Sequence, residues 1–224
     1  DITELLEALV ELCRDAGRVV LEVYATDFDV RGKLDHSPVT EADQRAEALI
    51  LSSLRALRPE LPVVAEEAVA EGQVPAIAPC FWLVDPLDGT KEFISRNGEF
   101  TVNVALIQDG QPTLGVVYAP VLGRLYGGAV GVGAFVEYAG RRNAIRVRQP
   151  PADGLTVVAS RSHGNEQALS AFLAGRTVRE TRSIGSSLKI CLVAEGAADL
   201  YPRLGRTMEW DIAAGHAVLA AAGG

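Results

Sequence analysis

The chain has 224 residues, 48% of them hydrophobic, a formal net charge of -8 and a pI near 5.0. That length can bury a sizeable core in one large domain or two small ones. The acidic balance, with no dense Lys/Arg run, excludes polymeric nucleic acid as a partner, and no apolar run reaches the ~20 residues of a transmembrane segment.

Residues 4–24 carry apolar side chains at Leu5, Leu9, Leu12, Cys13, Ala16, Val19, Val20 and Val23, the pattern of an amphipathic helix. A loop with Gly32 and Ser37-Pro38 follows. Thr40-Glu41-Ala42-Asp43 is a capping-box pattern that opens a second helix through Leu57, with Ala46, Leu49, Ile50 and Leu54 inward. Short strands are expected at 63–65 and 81–84. Strands at 101–107 and 113–118 are joined through Gln108-Asp109-Gly110, a hairpin signal, and 125–130 and 134–138 continue an antiparallel sheet. The character changes near Gln149-Pro150-Pro151. Beyond it come a strand at 155–159, a helix at 167–173, a weak strand at 177–181, a helix at 188–195, a strand at 198–201 and a last helix from about Asp211. Short strands alternating with helices suggest a small α/β unit. The organisation expected is an α+β domain over 1–149 and an α/β domain over 150–224. Cys13, Cys80 and Cys191 are odd in number and far apart, which suits free thiols in a reducing cytoplasm.

The densest chemistry is Phe81-Trp82-Leu83-Val84-Asp85-Pro86-Leu87-Asp88-Gly89-Thr90. Pro86 biases Asp85 away from helical geometry, so the strand is expected to stop at Asp85. Two carboxylates three residues apart, a glycine that admits close approach and a hydroxyl suit a divalent cation and a phosphate. Taken alone, an Asp-Pro turn with an Asx bond explains the same residues. Glu66-Glu67 follow a second apolar run, and Asp211 opens the last helix. Acids at the ends of three apolar segments can converge on one edge of a fold, where crowding is costly without cations. Each acid is also adequately explained as a helix cap.

Together these motifs resemble the Mg2+-dependent, lithium-sensitive phosphatase superfamily of inositol monophosphatases and 3'(2'),5'-bisphosphate nucleotidases. The resemblance rests on Trp82 to Thr90, Trp210-Asp211-Ile212-Ala213-Ala214-Gly215, Ser37 to Asp43, and Glu66-Glu67. Within that superfamily, Gly89-Thr90-Lys91-Glu92-Phe93 resembles the nucleotidase branch, where inositol phosphatases usually carry Thr-Asn at the Lys91-Glu92 positions. Arg96 to Asn103, Ser160-Arg161-Ser162-His163 and Gly185-Ser186-Ser187-Leu188-Lys189 resemble the same branch.

The resemblance implies a layered α-β-α-β-α sandwich, an α/β fold with an antiparallel-sheet half and a smaller α/β half. It implies two Mg2+ ions, or three, the third and weaker one being the alternative to Thr90 as the partner of Asp43. Glu66, Asp85 and the Leu87 carbonyl would hold the first, and Asp85, Asp88 and Asp211 the second. Two metals about 3.5 to 4 Å apart can activate water and neutralise both reacting oxygens. Glu66, Thr90 and Asp43 are the implied catalytic residues. Asp43 would contact the Thr90 hydroxyl, although its capping-box role explains it equally well. Glu66, Leu87, Asp88, Gly89, Thr90, Ser186, Lys189, Arg203 and Asp211 are the implied substrate contacts. Ser186, Lys189 and Arg203 would meet a second phosphate, though an N-cap explains the serines as well. Glu67 is expected behind the metal site or facing solvent.

The implied reaction is hydrolysis of adenosine 3',5'-bisphosphate, with its sulfated relative as a further substrate, to AMP and phosphate by direct water attack. An inositol or sugar phosphate monophosphatase with the same metals is the alternative enzyme. A metal- or nucleotide-binding protein without turnover is the alternative of another class. The resemblance is compatible with a homodimer and with attachment at the cytoplasmic face of the inner membrane. Family chains continue past residue 224 with further strands, so truncation within the second domain is expected. His36 reads as solvated, His163 as a turn residue or nucleotide contact, and His216 as structural. No His/Cys grouping has zinc spacing, and Gly131-Val132-Gly133 lacks the third glycine of a dinucleotide fingerprint.

Overall fold

The computed structural model describes residues 1–32, 38–161 and 165–224. His36 and His163 lie outside the described residues, as do Ser37, Ser162 and Gly164. Helix α1 (Ile2–Tyr24) is capped by Asp1 and buries Leu5, Leu9, Cys13, Ala16 and Val20. Strands β1 (Val30–Gly32) and β2 (Pro38–Thr40) pair antiparallel, where the sequence suggested only a loop. Helix α2 (Glu41–Leu57) opens on the expected capping box: Thr40 N–H donates to Asp43 Oδ2 at 2.8 Å, and Ala42 N–H donates to Thr40 Oγ1 at 3.2 Å.

Strand β3 (Val63–Ala65) leads into α3 (Glu66–Ala70), a five-residue helix the sequence did not announce. Strands β4 (Cys80–Asp88), β5 (Thr101–Gln108), β6 (Gln111–Ala119), β7 (Arg124–Ala129), β8 (Gly133–Tyr138) and β9 (Arg141–Ile145) complete a seven-stranded sheet in the order β3-β4-β5-β6-β7-β8-β9. Only β3 against β4 is parallel. Strand β4 does not stop at Asp85. Pro86 removes one ladder donor, the register shifts between Asp85 and Asp88, and pairing with β5 resumes at Asp88 opposite Thr101.

Helix α4 (Thr90–Ile94) follows β4 directly. Strand β10 (Leu155–Ser160), crossover helix α5 (Glu166–Leu173) and strand β11 (Val178–Ile184) form a parallel β-α-β unit. Residues 198–201 are not a strand. A single bridge joins Leu200 to Val157, because the Asp199 carboxylate takes the Thr156 N–H at 2.7 Å and Pro202 follows. Helices α6 (Leu188–Ala194) and α7 (Glu209–Ala221) close the chain.

Alternating side chains on the large sheet separate two cores. Trp82, Val84, Val102, Val104 and Leu114 pack under α1 and α2, while Leu83, Ala105, Val117 and Tyr126 pack under α6 and α7. Helix α6 also touches β10, so β10, α5 and β11 lie beyond it, and the layered α/β class expected from the resemblance is the class observed. Helix α7 sits very close to the sheet. A Cβ on Gly115 would stand 2.4 Å from the Ala214 carbonyl oxygen, so glycine there lets α7 lie flat. That seating fixes where α7 begins, and with it Asp211. His216, read as structural, is on the exposed side of α7.

Candidate metal and phosphate site

Two strand ends and the start of α7 meet at one edge of the large sheet. Ala65 is paired with Val84, so Glu66 emerges beside Asp85. Asp85 is buried to 1% exposure and accepts from Leu87 N–H at 3.0 Å. Asp88 lies across the bulge. Asp211 is in the first turn of α7. Asp85, Asp88 and Asp211 each offer an oxygen within 4.8 Å of the others, the one such acidic group among the described residues.

The electrostatics follow from that crowding. Burial, then Glu66, Asp88 and Asp211 in turn, push the Asp85 carboxyl well above the usual carboxylate range. Burial, then the Asp211 carboxylate, push Asp88 up to about 7, against the pull of Lys189 and the Ser187 N–H. Like charges held this close are the arrangement a small dication relieves. The donors are all oxygen, which matches the preference of Mg2+.

Thr90 begins α4 after Gly89, whose φ of 91° suits glycine. Its Oγ1 lies 3.3 Å from Asp43 Oδ1 and 3.4 Å from the Leu87 carbonyl oxygen. Asp43 thus does both things weighed from the sequence: Oδ2 caps α2 and Oδ1 meets Thr90. Asp211 is likewise shared. Its Oδ2 accepts from Thr207 Oγ1 and from Met208 N–H, both at 2.9 Å.

These groups open on a cavity of about 300 Å3 lined also by Gly89, Lys91, Ser186, Lys189, Tyr201 and Arg203. Ser186 has φ 55°, a left-handed conformation rare for serine. Lys189 is only 3% exposed, and its ammonium donates to the carbonyls of Ile184 at 3.0 Å and Ser186 at 2.7 Å. Burial pulls its pKa down, opposed by Asp88. Arg203 donates to the Arg206 carbonyl oxygen, while its buried Nε has no hydrogen-bond partner among the described residues.

Comparison with known proteins gives the family. The model of the inositol monophosphatase family matches residues 1–224. The chain belongs to the inositol monophosphatase family. A relative from Escherichia coli, named 3'(2'),5'-bisphosphate nucleotidase CysQ, is 52% identical over 98% of this chain and 88% of its own length. The crystal structure of CysQ from Bacteroides thetaiotaomicron superposes with a TM-score of 0.79 at 39% identity, covering 98% of this chain and 87% of that one. An inositol monophosphatase from Anabaena gives a TM-score of 0.79 at 27% identity, covering 99% and 82%.

Within this family fold, the structure also gives contacts to residues that the sequence placed in motifs without a role of their own. Ser187 N–H donates to Asp88 Oδ2 at 2.5 Å, and its hydroxyl donates to Asn103 Oδ1 at 2.6 Å and contacts Thr101. Glu99 accepts from Gly185 N–H at 2.8 Å and pairs with Arg161. Together they tie the turn before α6 to β4 and β5. Glu67 is buried rather than facing solvent, and Glu47 lies against it. An ionisable side chain on the inward face of α2 was the signal for Glu47. Ser187 was read only within the turn before α6, as a cap or phosphate-facing serine; nothing in local spacing pointed to its bond with Asp88.

Proposed function

We propose that this chain is a Mg2+-dependent phosphatase that removes the 3'-phosphate of adenosine 3',5'-bisphosphate, leaving AMP. The observation that carries it is the meeting of Asp85, Asp88 and Asp211 beside Glu66 and Thr90 in one cavity. The name carried by relatives at 52% identity supports the nucleotide over an inositol phosphate.

Glu66, Asp85 and the Leu87 carbonyl would hold one Mg2+, and Asp85, Asp88 and Asp211 a second. When bound, the metal supplies positive charge for the phosphate and the leaving oxygen and acidifies the attacking water. The chain's own groups do the rest. The Thr90 hydroxyl donates to Asp43, so its lone pairs are left to orient water. Glu66 accepts the proton of that water. The N–H groups at the start of α4, at Gly89 and Thr90, lack intrahelical partners and take phosphate oxygens. Ser186, Lys189 and Arg203 line the cavity and are the groups assigned to the second phosphate. The three free thiols fit a cytoplasmic setting. Among the described residues, no helix is long and apolar enough to cross a membrane.

Phosphate release from adenosine 3',5'-bisphosphate and from inositol 1-phosphate, each with Mg2+ and with a chelator, tests the reading. Faster, metal-dependent turnover of the nucleotide is expected. Faster turnover of inositol 1-phosphate would overturn it.

A further inference from the structure

Glu66 stands at the first position of α3. Ala65 is the capping residue and has no side-chain acceptor. The acceptor comes instead from α2. The Glu47 carboxylate, 4% exposed, accepts Glu67 N–H through Oε2 and Ala68 N–H through Oε1, both at 2.7 Å. It takes the two donors that directly follow Glu66.

Burying a carboxylate is a costly way to cap five residues, since a serine or aspartate at the capping position would satisfy the same donors. The two devices differ in what they fix. A local cap orders α3 alone. A cap from another helix also fixes α3 relative to that helix. One turn before Glu47 on the same face of α2 is Asp43, whose Oδ1 meets the Thr90 hydroxyl at 3.3 Å. Helix α2 therefore holds both groups assigned to the attacking water, Thr90 through Asp43 and Glu66 through Glu47.

The geometry points to Glu47 as a positioning residue that acts through Glu66, setting the placement of the Glu66 carboxylate against Asp85 and Thr90. This rests on the reading of Glu66 as a magnesium ligand that also holds water. Glu47→Gln keeps the size but offers one acceptor and turns an NH2 toward the other donor.

The test compares Glu47→Gln, Glu66→Gln and the double variant. It reads thermal midpoint, kcat and KM for adenosine 3',5'-bisphosphate, and calorimetric binding of Mg2+ alone. In the wild-type background, Glu47→Gln is expected to lower kcat and weaken Mg2+ binding roughly 10- to 100-fold, with KM changed less than about threefold. In the Glu66→Gln background, the same substitution is expected to change Mg2+ binding less than about twofold, because the residue it acts through is already altered. A folded Glu47→Gln with wild-type Mg2+ binding and kcat would overturn the inference. So would equal losses in both backgrounds, the mark of a general packing defect. Wild-type turnover in Glu66→Gln would instead sink the reading of the site itself. If Glu47→Gln does not fold, Glu47→Asp, which keeps the charge one methylene short, is expected to show the same split in weaker form. Wild-type values in that variant would overturn the inference equally.

Discussion

Asp211 is the residue at which capping and metal binding can be separated. Substitution by Asn keeps an oxygen for Thr207 Oγ1 and Met208 N–H, so the start of α7 stays satisfied. What is lost is the negative charge facing Asp85 and Asp88. Two unit charges 4.8 Å apart repel by about 3 kcal/mol at an effective dielectric constant of about 20. Asp211 is partly exposed, so about 1 kcal/mol of that is retained. In a chain of this size that is a rise of roughly 2–4 °C in the midpoint of the metal-free protein at pH 8. With Mg2+ the sign reverses. A dication attracts Asp211 twice as strongly as an equally distant carboxylate repels it, so half-saturating Mg2+ should rise at least about tenfold, or ~1.4 kcal/mol. Calorimetric melts in chelator and in excess Mg2+, with turnover across a Mg2+ series, measure both effects. Wild-type turnover at low Mg2+, or a lower metal-free midpoint, would refute the assignment and leave Asp211 as a cap.

Thr90→Val should lower kcat at least about 100-fold with little change in KM if, as proposed, the hydroxyl orients the attacking water; steady-state kinetics check this. Ser187→Ala leaves the buried Asn103 Oδ1 without its donor, which should cost about 1–3 kcal/mol and lower the thermal midpoint by roughly 2–12 °C. The metal-free protein should lose stability as pH rises from 5 to 8. Asp85 and Asp88 titrate higher folded than unfolded, Asp88 at about 7, so the folded state holds more protons in that window. Glu7 and Asp199, held low by Arg142 and Arg148, are already ionised there and add no slope. A midpoint in chelator that climbs between pH 5 and 8 would contradict this, and excess Mg2+ should remove the decline.

Much of the site was legible because its acids mark the ends of apolar runs. Val63 to Ala65 and Phe81 to Val84 read as strands, and the carboxylates after them had to gather at one sheet edge. The Thr40 to Asp43 capping box was correct at the level of individual bonds. The dual use of Asp43 was foreseeable only as two competing roles, since one oxygen serves each. Strand β9, Arg141-Arg142-Asn143-Ala144-Ile145, was invisible because an exposed edge strand has no alternating apolar side chains. Strand β4 ran past Pro86 because a bulge absorbs a missing donor. Helix α3 has five residues and its capping groups lie on α2, so no local signal announced it. The Ser187 contact to Asp88 spans 99 residues, a separation closed only where the turn before α6 meets the end of β4.

The most direct measurement is the phosphorus NMR spectrum of the products when adenosine 3',5'-bisphosphate is incubated with the protein and Mg2+. The expected spectrum shows 5'-AMP and one equivalent of inorganic phosphate, absent in chelator and absent with Asp85→Asn. Formation of adenosine 3'-phosphate, or phosphate release that survives chelator or Asp85→Asn, would contradict a magnesium-dependent 3'-phosphatase built on this carboxylate cluster.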